Sequence, residues 1–346
     1  MTKANGVRNV VISLQPEGPR VPLSRERKGN PLGDSRSSGS ATLRFLMWVG
    51  LYYGSNSFVV LTNKQLISQM GFQFPILLTC MHMTSTIFFS YLMMDVYKVL
   101  KKEHLASAGQ RRHIGLLAAM FAVSLMCGNW SFRYASVAFA QMIGASTPFF
   151  VSVLGFIFFG TVFRWQVYAT LFPIVGGAMI STYGELNLTI LGLFFQLAAT
   201  FTRGLKTVWQ GHLLQGEEKL NSPNLLRYMA MDAAAILAVL SLLFESKSFI
   251  TWLRSDDEGD GNYHRWYFFL LLLFNPMSAY MANMSQFMLI QMSNPLTFQV
   301  IGNTKGLLNV FFDILFFGTQ VSGLAALGYS ITLTGVALYS RERRRS

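Results

Sequence analysis

Charge is scarce in this sequence. Only 13% of its 346 residues are Asp, Glu, Lys or Arg, against 52% that are hydrophobic. That is too little polarity to clothe the two soluble domains that length alone would allow. Cysteine is nearly absent too: the two present, Cys80 and Cys127, lie inside apolar stretches, which excludes a disulfide framework and leaves free thiols. His, Cys and carboxylates never cluster at metal-ligand spacing. No phosphate-cradling glycine loop precedes a helix, and no nucleophile stands beside a base. Nothing recommends an enzyme, a metal site or a cofactor.

What the chain has in quantity is long apolar runs. From Leu43 onward they recur at about 20 residues each, the length that crosses a hydrocarbon core. Ten spans are predicted, at 43–66, 75–97, 114–133, 136–159, 162–183, 188–213, 224–244, 265–291, 295–317 and 321–340. Helices are expected throughout, because a helix satisfies its backbone polar groups within one segment. The expectation is an all-α membrane protein with lipid as its surroundings.

The few charges are placed unevenly. A formal net charge of +12 on a soluble chain would suggest nucleic acid. Here the cations gather in the tail before Leu43 (Lys3, Arg8, Arg20, Arg25, Arg27, Lys28, Arg36), in the loop after the second span (Lys98, Lys101, Lys102, Arg111, Arg112) and in the terminal RERRRS. An even number of spans puts all three on one side, and the excess of Lys and Arg marks that side as cytosolic, both termini included. No nucleic-acid partner is implied. The acidic run DDEGD after the seventh span falls on the other side. The tail has no apolar segment of its own and is no cleaved secretory signal; a solvated cytosolic tail and a plastid transit peptide both fit its Ser, Arg and Gly content. Asn187-Leu-Thr forms a sequon on the non-cytosolic side, in a loop too short to favour glycosylation.

An internal repeat organises the chain. Residues 141–160 read QMIGASTPFFVSVLGFIFFG and 299–318 read QVIGNTKGLLNVFFDILFFG. Gln141 and Gln299, Ile143 and Ile301, Gly144 and Gly302, and the closing FFG align without a gap. The predicted domains are a basic tail (1–42), repeat 1 (43–183, spans one to five), repeat 2 (188–340, spans six to ten) and a basic C-terminus (341–346). Five spans per repeat make the copies inverted, the arrangement of secondary transporters with a site near the midplane.

The ninth span carries the chemistry. Gly302, Lys305, Asn309 and Asp313 share one helical face at steps of three, four and four. Asp313 lies eight residues from Lys305, about 12 Å along a helix, too far for a direct pair. The matching face of the first copy holds Gly144, Thr147, Val151 and Gly155, so Thr147 stands where its twin has Lys305. A charge within a span costs about 2.5–3.5 kcal/mol on insertion scales. Two roles fit it: an ion pair between helices, or contact with an anionic substrate in a wet cavity. Span six adds Arg203 and Lys206 on one face; they suit phosphate, or snorkel to the interface. Tyr280 and Asn283 share a face of span eight, where they could hydrogen-bond a sugar or base, or glue helices together. His82 reads as a packed histidine, and Asn63-Lys64 as an entrance or an interfacial anchor.

These residues resemble the triose-phosphate translocator and nucleotide-sugar transporter family of the drug/metabolite transporter superfamily, over about residues 43–340. The pieces that carry the resemblance are LTNKQLISQMGFQFPILLTCMHM, VAFAQMIGASTPFF, RGLKTVWQGHLL with EKLNSPNLLRYMA, and SAYMANMSQF through NPLTFQVIGNTKG to LGYSITLTGVALYS. The pattern is most similar to plant Golgi carriers of UDP-arabinose and UDP-uronic acids. Plastid phosphate translocators have a lysine where this chain has Gly144, and a Lys-Arg pair where it has Lys305-Gly306; Arg203 matches their span-six arginine. Lysine followed by glycine is similar to the subgroup that includes UDP-xylose carriers. The resemblance therefore implies a Golgi or endoplasmic reticulum antiporter that exchanges cytosolic UDP-sugar for lumenal UMP by alternating access. Taken with the polar faces above, the expected substrate site is Lys305, Arg203, Thr147, Tyr280, Asn283, Gly144, Asn303 and Lys206, with no metal, and a homodimer is left open. The rivals are a plastid sugar-phosphate/phosphate exchanger, which the basic tail favours and the missing cations oppose, and a receptor or scaffold on the same fold.

Overall fold

A computed structural model describes residues 34–131, 134, 143–183, 189–216, 219–254, 262–317 and 322–345. Most of the basic tail, Gln141, the sequon at Asn187, the run 256–260 and the side chains of Asn309 and Asp313 lie outside the described residues. The described chain is all-α. Its helices are α1 (Asp34–Lys64), α2 (Pro75–Tyr91), α3 (Ala108–Ser131), α4 (Thr147–Phe159), α5 (Trp165–Tyr183), α6 (Ile190–Gln215), α7 (Ser222–Phe244), α8 (Ser246–Arg254), α9 (Asn262–Met292), α10 (Pro295–Phe317) and α11 (Gly323–Arg345). Single π-helical turns, Gln65–Gln69 and Leu92–Val96, extend α1 and α2. Each predicted span overlaps one of these helices, with residues 136–142 of the fourth span outside the described residues, and α8 is an addition.

The helix ends follow from local chemistry. Pro75, Pro148, Pro223 and Pro295 stand in first turns, where a missing N–H costs nothing. The side chains of Thr189, Asn221 and Asn294 accept from the Gly192, Asn224 and Thr297 amides at 3.1, 3.1 and 2.8 Å, so α6, α7 and α10 begin with a capped amide. α2 takes its cap from elsewhere: buried Glu245, at the end of α7, accepts from the Ile76 and Leu77 amides at 2.9 and 2.8 Å. That places a carboxylate at the positive end of a helix.

Buried side chains form two main cores. Met83, Ile114, Leu225 and Phe287 belong to one, built from α2, α3, α7 and α9. Leu154, Ile174, Val300 and Tyr339 belong to the other, built from α4, α5, α10 and α11. α6 serves both, with Leu213 in the first and Val208 in the second. A smaller aromatic core explains α8: Phe249 and Trp252 pack on Phe72 and Phe74. Outside, large apolar side chains such as Phe156, Phe172, Phe194 and Leu242 are exposed, a surface that lipid rather than water would solvate. α2 with its π turn, α3 and α7 are long and apolar enough by themselves to cross a membrane.

Contacts across the second core have a regular spacing. Asn303 Nδ2 donates to Ala145 O at 2.8 Å, and Thr332 Oγ1 reaches Ile174 O at 3.5 Å; each pair is separated by 158 residues. Gly144 and Gly302, and Thr147 and Lys305, are separated by that same 158 residues. So are Gly177 and Gly335, where α5 and α11 cross most closely. A Cβ at Gly177 would lie 2.5 Å from Gly328 O, and one at Gly335 would lie 2.9 Å from Ile174 N. Residues with matching places in the two sequence copies thus meet each other across the crossings of α4 with α10 and α5 with α11.

One end of the bundle collects the basic segments. Asn224 at the start of α7 donates to Lys101 O at 2.8 Å, and Ser222 donates to Gln291 Oε1, at the end of α9, at 2.7 Å. Gln215 at the end of α6 donates to Ile290 O and Ser293 O. Thr297 at the start of α10 bonds Tyr339 near the end of α11 at 3.0 Å. The loop 97–107, with Lys98, Lys101 and Lys102, therefore shares this basic end with the C-terminal part of α11. Ion pairs of Arg111 with Asp232, and of Arg227 and Lys102 with Asp95, tie it together.

A cation-lined cavity between two cores

A cavity of about 340 Å³ lies between the two cores. α6 brings Gln196, Arg203, Lys206 and Thr207 to it on one face, and α10 brings Gln299, Gly302, Asn303, Lys305 and Gly306. Gly144 and Thr147 close the wall where α4 begins. That beginning is held from both sides: Thr147 Oγ1 donates to Gly144 O at 2.5 Å, and Asn303 holds Ala145 O. Six of the residues expected at the site, Lys305, Arg203, Lys206, Thr147, Gly144 and Asn303, thus surround one space.

Charge in that space is of one sign. Among the described residues no carboxylate lines it, and none pairs with Arg203, Lys206 or Lys305. Lys305 Nζ instead sits 5.3 Å from the centre of the Tyr52 ring, and Lys206 Nζ sits 4.9 Å from that of Phe121. Lys206 is 7% exposed, so its ammonium does not reach out to an interface. Like charges around one void repel, and an anion placed among them relieves that repulsion. Gly144 gives Arg203 its room, since a Cβ there would lie 3.3 Å from Arg203 Nη1. The space left by the glycine is therefore shared with the guanidinium rather than wholly free for a bulky ligand.

Tyr280 and Asn283 are not among the residues that line the cavity. Tyr280 is buried in the first core, with its ring stacked on Phe89 at 5.3 Å. One turn further along α9, Gln286 lines the cavity instead. His82 is also structural: its Nε2 and Asn275 Oδ1 lie 2.5 Å apart, and Asn275 Nδ2 donates to Thr62 Oγ1 and Asn63 Oδ1 at 2.6 and 2.8 Å. Sequence reasoning missed Tyr52, Phe121, Asn56 and Tyr329. The last two carry buried oxygens, Asn56 Oδ1 and the Tyr329 hydroxyl, that have no partner and belong to cavity-lining side chains. They are hydrogen-bonding groups set aside for a polar guest.

Towards the basic end the walls of the cavity are tied together. Gln299 Nε2 donates to Thr207 Oγ1 at 2.7 Å across it. Further out, Pro295 fills the space that a Cβ on Gly211 would need, and the Thr297–Tyr339 bond follows. Beyond this plug is a second hollow of about 330 Å³, lined by His212, Gly155 and Asn294. In the opposite direction the cavity continues to Asn129 at the end of α3, and to Gln196 and Tyr329 near the beginnings of α6 and α11.

The model of the Triose-phosphate Transporter family matches residues 43–340. A probable sugar phosphate/phosphate translocator of Arabidopsis thaliana is 40% identical over 86% of this chain and 95% of its own length. UDP-uronic acid transporter 1 of the same plant is 36% identical, over 90% of this chain and 99% of its own. UDP-galactose transporter 1, also from Arabidopsis thaliana, is 29% identical over 87% of each chain. A protein of known crystal structure superposes with a TM-score of 0.59 over 89% of this chain and 98% of its own; at 16% identity this is a likeness of fold.

Proposed function

The chain belongs to the Triose-phosphate Transporter family, and from that premise we propose that it is a nucleotide-sugar antiporter of the Golgi or endoplasmic reticulum membrane. It exchanges cytosolic UDP-sugar for lumenal UMP. Lys305 and Arg203 contact the phosphates, with Lys206 as a third cation. Thr147, Asn303, Asn56 and Tyr329 supply hydrogen bonds to the rest of the substrate. The observation that carries this reading is the cavity: three cations, no carboxylate among its described walls, and unpartnered neutral oxygens beside them. An anion with a hydroxylated remainder satisfies both sets at once. Gly144 and Gly306, at positions where the resemblance gives plastid translocators cations, argue against a small dianion as the preferred cargo.

Movement is alternating access by two inverted repeats, spans one to five and six to ten. The pairing of residues 158 apart supports it, because a two-fold axis in the membrane plane brings equivalent residues face to face. With the basic end cytosolic, the Thr207–Gln299 bond would serve as part of a cytosolic gate. An empty cavity that holds unneutralised cations is costly to carry across, which favours strict exchange.

One finding favours a second reading. The 40% identical relative is named as a probable sugar phosphate/phosphate translocator, so triose phosphate against phosphate is the alternative exchange. Proteoliposomes loaded with UMP or phosphate, and offered UDP-sugars, triose phosphate or phosphate outside, decide between the two. Uptake of UDP-sugar driven by internal UMP is the expected result; uptake of triose phosphate driven only by internal phosphate would sink the proposal.

A further inference from the structure

The two lysines of the cavity share an arrangement that anion binding alone does not account for. Each ammonium rests over an aromatic face, Lys305 on Tyr52 and Lys206 on Phe121. Each pair also bridges two helices, α10 to α1 and α6 to α3. The rings are fixed by other contacts. Tyr52 is 4% exposed and tilts against Phe298 at 5.3 Å, while the adjacent Tyr53 donates to Ile301 O at 3.1 Å and so pins α1 beside α10. Phe121 packs against the first core. An aromatic face attracts a cation through its quadrupole but carries no net charge. A carboxylate in the same place would hold the lysine more firmly and repel an arriving phosphate.

We infer that Tyr52 and Phe121 are positioning residues that hold Lys305 and Lys206 while the cavity is empty, through a weak quadrupolar attraction given up when a phosphoryl group arrives. The inference rests on the anion-binding reading of the cavity and adds a sign to it. A residue that touches substrate strengthens binding, so removing it weakens binding. A residue that stabilises only the empty cavity opposes binding, so removing it tightens binding.

The test is a titration of the purified full chain with UMP, and with inorganic phosphate as a second probe. Tyr52→Leu is expected to tighten UMP binding roughly two- to thirtyfold, the range of exposed to desolvated cation–π contacts. Tyr52→Phe, which keeps the ring, is expected to bind as the parent does. In a Lys305→Gln background, Tyr52→Leu is expected to change nothing, a coupling that a purely structural role does not produce. Weakened or unchanged binding in Tyr52→Leu overturns the inference, as does tightening that persists without Lys305. Should Tyr52→Leu not fold, Phe121→Leu with Lys206→Gln decides by the same criteria. A parent chain that binds neither UMP nor phosphate removes the anion-site reading and the inference together; one that binds, with no coupling in either cycle, removes the inference alone.

Discussion

Lys305 and Thr147 occupy matching places in α10 and α4, and only one of them is charged. If Lys305 meets phosphate, Lys305→Ala removes a charge-assisted hydrogen bond of about 1.5–3 kcal/mol, so affinity for UMP should fall roughly ten- to a hundredfold. Full exchange activity in a well-folded Lys305→Ala protein would falsify that assignment. Gly144→Lys is a second test, because the new side chain starts against the Arg203 guanidinium. UDP-sugar exchange should fall sharply, whereas Gly144→Ala, which asks only for a small shift of a flexible arginine tip, should keep most of it; the same liposome assay reads both. At this scale the sequence was legible wherever charge broke an apolar run, as at Arg203, Lys206 and Lys305. Tyr52 and Phe121 were not legible, since an aromatic residue in such a run reads equally well as packing. Tyr280 and Asn283 show the converse limit. Spacing put them on one face of α9, but how far a helix is rotated depends on its neighbours, and this face lies apart from the cavity while Gln286 reaches it.

Among the helices, α5 and α11 cross closely through Gly177 and Gly335. Overpacking of this kind typically costs about 1–3 kcal/mol, so Gly177→Val and Gly335→Val should each lower the unfolding temperature, and by similar amounts because the two sites match. A large drop from one and none from the other would contradict equivalent crossings. Glu245 offers a contrasting case, because it acts between elements. Glu245→Ala leaves two amides of α2 without acceptors, a loss of about 1–3 kcal/mol, to be read as a lower thermal midpoint with binding unaffected. The plug invites a cysteine pair, Gly211→Cys with Pro295→Cys. Oxidation should arrest exchange and reduction should restore it, whereas undiminished exchange in the cross-linked protein means that these two positions never need to part. Helix placement was largely readable from apolar run length and from the Pro, Thr and Asn starts. The nine-residue α8 was not, because its stability comes from aromatic docking on Phe72 and Phe74 rather than from its own length.

For the molecule as a whole, the expectation is obligatory exchange. Labelled UMP trapped in liposomes should leave rapidly when UDP-sugar is outside and hardly at all into plain buffer; equal rates would mean that the empty protein crosses as readily as the loaded one. The sequence pointed to an internal repeat at one pair of segments, where Gly and Phe recur without a gap. It did not show that the packed cores cut across the predicted repeats. Each core draws on both copies, with α2 and α3 beside α7 and α9, and α4 and α5 beside α10 and α11. That division depends on which helices touch, and no periodicity along the chain encodes it. The contacts between matched residues have a further consequence. Interchanging α4–α5 with α10–α11 returns the residue pairs Asn303–Ala145 and Thr332–Ile174 but not their bonds, because each runs from a side chain to a carbonyl and Ala145 and Ile174 have no side-chain donor to give back. If the two predicted repeats exchange roles during transport, as proposed, a bond with no counterpart in the exchanged arrangement favours the state in which it is made, so a substitution at Asn303 or Thr332 would move the balance between the two states as well as overall stability. In that picture each one-way bond, Thr207–Gln299 included, is a weight on one side of a scale, and together such weights would set which way the empty protein faces.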